Sequence, residues 1–155
     1  MRILLVGDYS SVHLELRNYL KSQNYDITLV SDGDSYKNFE RDIDLKKTEN
    51  TLIKDLLKNR LFRILHNIYV IVMTYLGLKG LFFYFKKKKQ ISTLKNFDII
   101  QLINTIPIEE FGSIASYLFI KQLLKQNPKT KLFLVAAGDD YEWVSKNLKN
   151  KEKSY

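Results

Sequence analysis

Cysteine is absent from the 155 residues. That excludes disulfides, thiolate zinc sites and a cysteine nucleophile. Histidine occurs twice, at His13 and His66, and their separation of 53 positions excludes a local metal motif such as H-E-x-x-H. Glycine is scarce, with six residues, and neither a P-loop nor a G-x-G-x-x-G fingerprint occurs. Long apolar runs are missing too. Between Arg63 and Lys79 lie 15 residues without charge, short of the ~20 that a membrane span needs. The first apolar run is too short for a signal peptide, and no small-residue cleavage site follows it. What remains is 45% apolar and carries a net charge of +8. Such a chain can build a packed core. Its length predicts one domain. The lysines are scattered and form no nucleic-acid motif, so no nucleic-acid partner is expected.

Met1 to Asp8 opens with Ile-Leu-Leu-Val and then Gly7, the pattern of a strand buried on both faces. Ser10 and Ser11 can cap the helix that follows, whose apolar side is Leu14, Leu16, Tyr19 and Leu20. Asp26 to Val30 reads as a second strand, and together these form a β–α–β unit with a right-handed crossover. Ser31 to Leu45 is polar and turn-rich. Leu52, Ile53, Leu56, Leu57, Leu61, Ile64, Leu65 and Ile68 recur at helical spacing opposite Lys54, Lys58, Arg63 and Asn67, which predicts a basic amphipathic helix. The chain then turns apolar all round to Leu78. Gly80-Leu-Phe-Phe-Tyr-Phe85 and the lysine run Lys86, Lys87, Lys88 and Lys89 follow. Phe97 to Asn104 is a third strand ended by Pro107, a helix runs from about Glu110 to Gln126, and Lys131 to Ala137 is a fourth strand.

In a doubly wound sheet, ligands bind at the carboxyl ends of the strands. Those ends read Gly7-Asp8-Tyr9-Ser10-Ser11-Val12-His13, then Ser31-Asp32-Gly33-Asp34 through Arg41-Asp42-Ile43-Asp44, then Gln101-Leu102-Ile103-Asn104, then Ala137-Gly138-Asp139-Asp140. This ordered set resembles the N-terminal, acceptor-side domain of bacterial glycosyltransferases of the GT-B fold, of the family-4-like (group 1) type. The resemblance covers Met1 to about Leu45 and Asn96 to about Trp143. It implies metal-independent transfer of a sugar from a nucleotide-sugar donor to an acceptor hydroxyl. It also implies that a second domain, which has no counterpart here, binds most of the donor. The loop from Gly7 to His13 would then face the cleft, where N–H groups at a helix N-terminus favour the donor phosphates.

On this reading His13 is the catalytic candidate, as a general base or a hydrogen-bonding group. The plainer reading is a surface histidine in a first helical turn. The substrate-binding candidates are Asp8, Tyr9, Ser10, Ser11, Asp32, Asp34, Lys37, Arg41 and Asn104. The acids, with Asp42 and Asp44, would hold sugar hydroxyls, and Lys37 and Arg41 would meet an anionic acceptor. Alternatively the same stretch is a turn-forming loop held by its own Asp side chains. Asn104 either binds a ligand or caps its own turn. No metal site and no cofactor beyond the nucleotide-sugar substrate are expected.

Leu52 to Phe85 admits two readings, a core helix pair alone or partial core packing combined with contact at a membrane interface, and the second is the one expected. The basic face, five aromatic residues from Tyr75 to Phe85, and the membrane-surface candidates Lys86, Lys87, Lys88 and Lys89 suit anionic lipid. The expected fold is α/β: a Rossmann-like doubly wound parallel sheet of about four strands, order 2-1-3-4, with an inserted hydrophobic helical segment. It would form one truncated domain over 1–155, with 46–95 as the insertion. The expected location is the cytoplasm, peripheral on the inner face of the cytoplasmic membrane. Strand four would be an apolar edge, which predicts a donor-domain partner chain or a homodimer, with a sugar or lipid-linked acceptor as the ligand. Two alternatives remain. One is a non-catalytic binding or assembly subunit of a split glycosyltransferase. The other is a degenerate receiver-like signalling domain, which would need a phospho-acceptor Asp where this chain has Asn104.

Overall fold

The structure, a computed structural model, describes residues 1–34, 37–46, 58–76, 78 and 80–135. Five parallel strands form one sheet: β1 (Arg2–Val6), β2 (Asp26–Ser31), β3 (Ile43–Asp44), β4 (Ile99–Leu102) and β5 (Lys131–Leu134), in the order β3-β2-β1-β4-β5. The helices are α1 (Val12–Ser22), α2 (Arg60–Tyr75), α3 (Leu81–Ile91) and α4 (Gly112–Gln126), the last entered through a 3-10 turn at Glu109–Phe111. This is the expected Rossmann-like architecture with one strand more. Ile43 and Leu45 turn inward and Asp44 outward, so a two-residue strand pairs with Val30 and Ser31 inside the stretch expected to be loop.

The central strand explains why the sheet is wound on both faces. Leu4 and Val6 point to one side and Ile3 and Leu5 to the other, and all four are buried. Ile3, Leu5, Ile27 and Leu29 pack under Leu14, Leu16 and Leu20 of α1. Leu4, Val6, Val30, Ile100 and Leu102 pack under α3 and α4, through Phe83, Tyr84, Ile91, Phe111 and Phe119. Each fully buried side chain of this size contributes about 1.5–3 kcal/mol. Phe111 centres the second layer, with ring centroids 5.6 Å from Phe83, 5.9 Å from Tyr84 and 5.4 Å from Phe119. Asn127 closes α4 from a buried position. Its amide donates to the Leu94 and Leu123 carbonyls, and its oxygen accepts from Phe97 N–H.

Several local expectations need correction. Tyr19 is exposed, and the sheet-facing side of α1 is completed by His13 and Arg17, both buried. Neither Ser10 nor Ser11 caps α1. Both sit at left-handed φ, +50° and +63°, and the Asp8 carboxylate takes the His13 N–H instead, at 2.9 Å. α2 begins at Asn59, whose side chain accepts from Leu61 N–H. The earlier part of the expected helix, including Leu52, Ile53, Leu56 and Leu57, lies outside the described residues, as do Ala136 to Asp140 and Trp143. The core packing of this segment is partial. α3 buries Phe83, Tyr84 and Ile91, whereas α2 buries nothing. Among the described residues no helix is long and apolar enough to cross a membrane.

Candidate functional site

The strand order reverses at β1: β2 lies to one side and β4 to the other, and this is where open α/β sheets bind ligands. The three strand ends are level, because Gly7 N–H donates to Val30 and Ile103 N–H donates to Val6. Gly7, at φ +78°, turns the chain out of β1. A Cβ there would drive into the Pro107 carbonyl and the Ile103 side chain, so glycine is what lets the loops after β1 and β4 meet. A cleft of about 490 Å³ opens between them. It is lined by Asp8, Tyr9, Asp32, Asp34, Ile103, Asn104, Ile106, Pro107 and Glu109.

Five of the residues singled out from the sequence therefore meet in one place: Asp8, Tyr9, Asp32, Asp34 and Asn104. Asp8 caps α1 through one carboxylate oxygen, while the other is buried without a partner. Burial pushes the Asp8 pKa up, against the lowering effect of the His13 N–H and the His13 ring. Asp32 accepts Glu109 N–H at 2.9 Å, which pins the 3-10 turn to the end of β2. Burial, with some help from the Glu109 charge, raises its pKa as well. Asp34 differs. Burial raises it, but the Lys37 ammonium at 2.8 Å and Ser10 N–H at 2.9 Å outweigh that, and its pKa falls. Asn104 accepts Ile106 N–H through Oδ1 at 2.9 Å, closing its own turn at the rim.

The other candidates lie outside the lining. Ser10 and Lys37 hold Asp34 from behind, and the Lys37 ammonium also sits over the Tyr9 and Phe39 rings. Ser11 shapes the turn into α1. Arg41 is committed to its own loop, donating to Asp44, the Phe39 carbonyl and Asn38. Asp42 faces α1, where it accepts Lys21 and Leu29 N–H beside the buried Arg17, and Arg17 itself bonds Glu40 at 2.6 Å. Much of the polar loop is thus a clamp on α1. His13 is fully buried beneath the cleft. Its Nδ1–H donates to the Gly7 carbonyl at 2.7 Å, which leaves Nε2 to accept from the Gln101 amide at 3.2 Å. Burial lowers its pKa, so the ring is neutral and supports the cleft floor.

Glu109 is the lining acid that the sequence reading missed, because it falls in the 3-10 turn before the helix. Its signal was the acidic pair directly after Pro107 and Ile108. With it the cleft carries four carboxylates and no cation among its lining residues. No cluster of the described residues is arranged to hold a metal ion. Chemically this is a cleft of hydrogen-bond acceptors that suits hydroxyls or an amine and repels phosphate. The first-turn N–H that would attract an anion is already bonded to Asp8. No family model, curated protein or solved structure matches this chain.

Proposed function

We propose that this chain is the acceptor-binding portion of a GT-B-type glycosyltransferase, acting with a nucleotide-sugar-binding domain. One observation carries the reading: the loops after β1, β2 and β4 at the switch point bring Asp8, Asp32, Asp34 and Glu109 around one cleft. Carboxylates accept strong, directional hydrogen bonds from sugar hydroxyls. In the transfer an acceptor hydroxyl attacks the anomeric carbon of the donor, and the nucleoside diphosphate leaves. The proton of that hydroxyl passes to a base, and the cleft offers Asp32 for the task, since His13 is engaged at both ring nitrogens and Asp8 caps α1 with its other oxygen buried. The phosphates belong on the donor domain, away from these acids.

An assembly subunit without catalytic residues of its own is the second reading. It is favoured by β5, an edge strand among the described residues, on which Leu132, Phe133 and Leu134 are exposed, as is Val135 directly after it. Exposed apolar edges pair with other chains, so β5 is where a partner chain would join.

Saturation-transfer NMR with a panel of monosaccharides, disaccharides and nucleotide-sugars tests the proposal. Saccharides should give saturation transfer that Asp32→Asn weakens about tenfold, the low end of a charged hydrogen bond. Nucleoside diphosphates should give none. Preferential binding of a nucleoside diphosphate, or saccharide signals unaffected by Asp32→Asn, would overturn it.

A further inference from the structure

We propose that α2 and the outer face of α3 form a seat on an anionic lipid surface, with α2 lying in the membrane interface rather than crossing it. The inference is independent of the transferase reading. Around α2, Leu61, Ile64, Leu65, Ile68, Ile71, Val72 and Tyr75 share one side and are all exposed, and no residue of the helix is buried. Arg60, Arg63, Asn67 and Thr74 occupy a narrow polar strip beside it. An apolar face this wide on a helix that buries none of its residues is a surface awaiting an apolar phase.

The charge pattern selects which one. From Leu56 to Phe97 the sequence has nine Lys or Arg and no Asp or Glu. On α3, Phe82, Phe85, Lys86 and Lys89 are exposed and recur at i, i+3, i+4 and i+7, so they form one outward stripe. Lys88 lies over the Phe85 ring on the same side. Lys87 alone of the four turns inward, donating to the Asp44 carbonyl and lying over Phe83. Aromatic rings flanked by lysines match the headgroup layer, where ring edges and ammonium groups both find partners. A second apolar protein would need acidic groups around its patch to match this rim. A lipid leaflet with anionic headgroups supplies them without shape matching. With 16 residues, α2 is about 24 Å long, short of the ~30 Å hydrocarbon core, so it fits in the plane.

Co-sedimentation of the whole chain with phosphatidylcholine vesicles, with and without phosphatidylglycerol, tests this, with circular dichroism reporting the fold. Binding should require phosphatidylglycerol and fall as salt rises. Lys86→Gln, Lys88→Gln and Lys89→Gln together should weaken it about a hundredfold, at about fivefold per charge. Ile68→Asp with Val72→Asp, both exposed sites, should abolish it while leaving the helical signal intact. Equal binding to neutral vesicles, binding indifferent to the lysine changes, or no vesicle binding would overturn the proposal. So would a concentration-dependent dimer in light scattering that only the Ile68→Asp and Val72→Asp pair dissolves, which would assign the face to a second copy.

Discussion

Gly7→Ala tests how the cleft is built. The backbone at Gly7 has φ +78°, where an L residue costs about 1–2 kcal/mol. Its Cβ would also enter the Pro107 carbonyl and the Ile103 methyl. Both belong to the loop after β4, and Ile103 is buried, so the overlap can be relieved only by moving backbone. Overpacking of that kind adds about 1–3 kcal/mol. A stiffer unfolded chain returns about 0.4–1 kcal/mol. The net loss is about 3 kcal/mol, or a fall in melting temperature of about 10 °C at this chain length. A reference isolates the steric part. Gly33 has a similar φ, +82°, but a Cβ there meets the guanidinium of Arg41, with Asn38 Cα at 3.3 Å. In an Arg41→Ala background, Gly33→Ala should therefore cost little beyond the backbone preference, about 1–2 kcal/mol. Urea unfolding followed by circular dichroism gives both numbers. If Gly7→Ala falls within about 0.5 kcal/mol of that reference, the close approach of the two loops is not what glycine secures, and the account of the cleft fails.

Three further outcomes follow from the same geometry. Asp32→Asn should stabilise the protein near neutral pH while weakening saccharide binding. Burial raises the Asp32 pKa, so the folded state carries a penalty above that pKa which vanishes below the unfolded value of about 3.9. Denaturation at about pH 7 and about pH 3 should show a gain only at the higher pH, and a loss at pH 7 would refute it. His13 has the opposite window. Its pKa is lowered by burial, so stability is complete above the unfolded value of about 6.5 and is lost as pH falls towards the folded pKa. His13→Gln should flatten that limb relative to the unaltered protein, and parallel curves would count against a buried neutral ring. Phe133→Lys on the exposed β5 edge should shift a concentration-dependent association towards monomer in light scattering; a chain already monomeric at every concentration would show that the edge is not used.

The fold was legible where periodicity and burial agree. Ile3-Leu-Leu-Val reads as a two-faced strand because a central parallel strand is apolar on both sides, and that placed β1, β2, β4 and β5 in their correct order. β3 was hidden because Ile43-Asp44-Leu45 is one period of alternation inside a polar loop, too short to stand out before Leu45 is seen to plug the core. The α1 cap was misplaced because local rules put it on the serine next to the helix. The left-handed turn at Ser10 and Ser11 instead carries the chain so that Asp8, five residues before His13, reaches its N–H. Arg17 and Arg41 show the same limit. Whether a charged side chain faces a ligand or clamps its own loop depends on partners distant in sequence, and for these two the partners are Glu40, Asp44 and the loop backbone.

That limit sharpens what the acids of the cleft mean. Asp8 and Asp32 each have a structural task, holding the first turn of α1 and the turn before α4. A serine or asparagine would hold such a turn about as well and would carry no charge into a buried position. Capping therefore explains an oxygen at these sites but not a carboxylate. The second oxygen of Asp8 is buried without a partner, and Asp32 faces the Glu109 charge across the same cleft. Both arrangements cost folding free energy that a cap alone does not require. On the proposed function, the cost at Asp32 is offset when a donor-rich ligand occupies the cleft and pairs with it. Stability and binding should then respond in opposite directions to the loss of one charge, and Asp32→Asn reads both from a single protein.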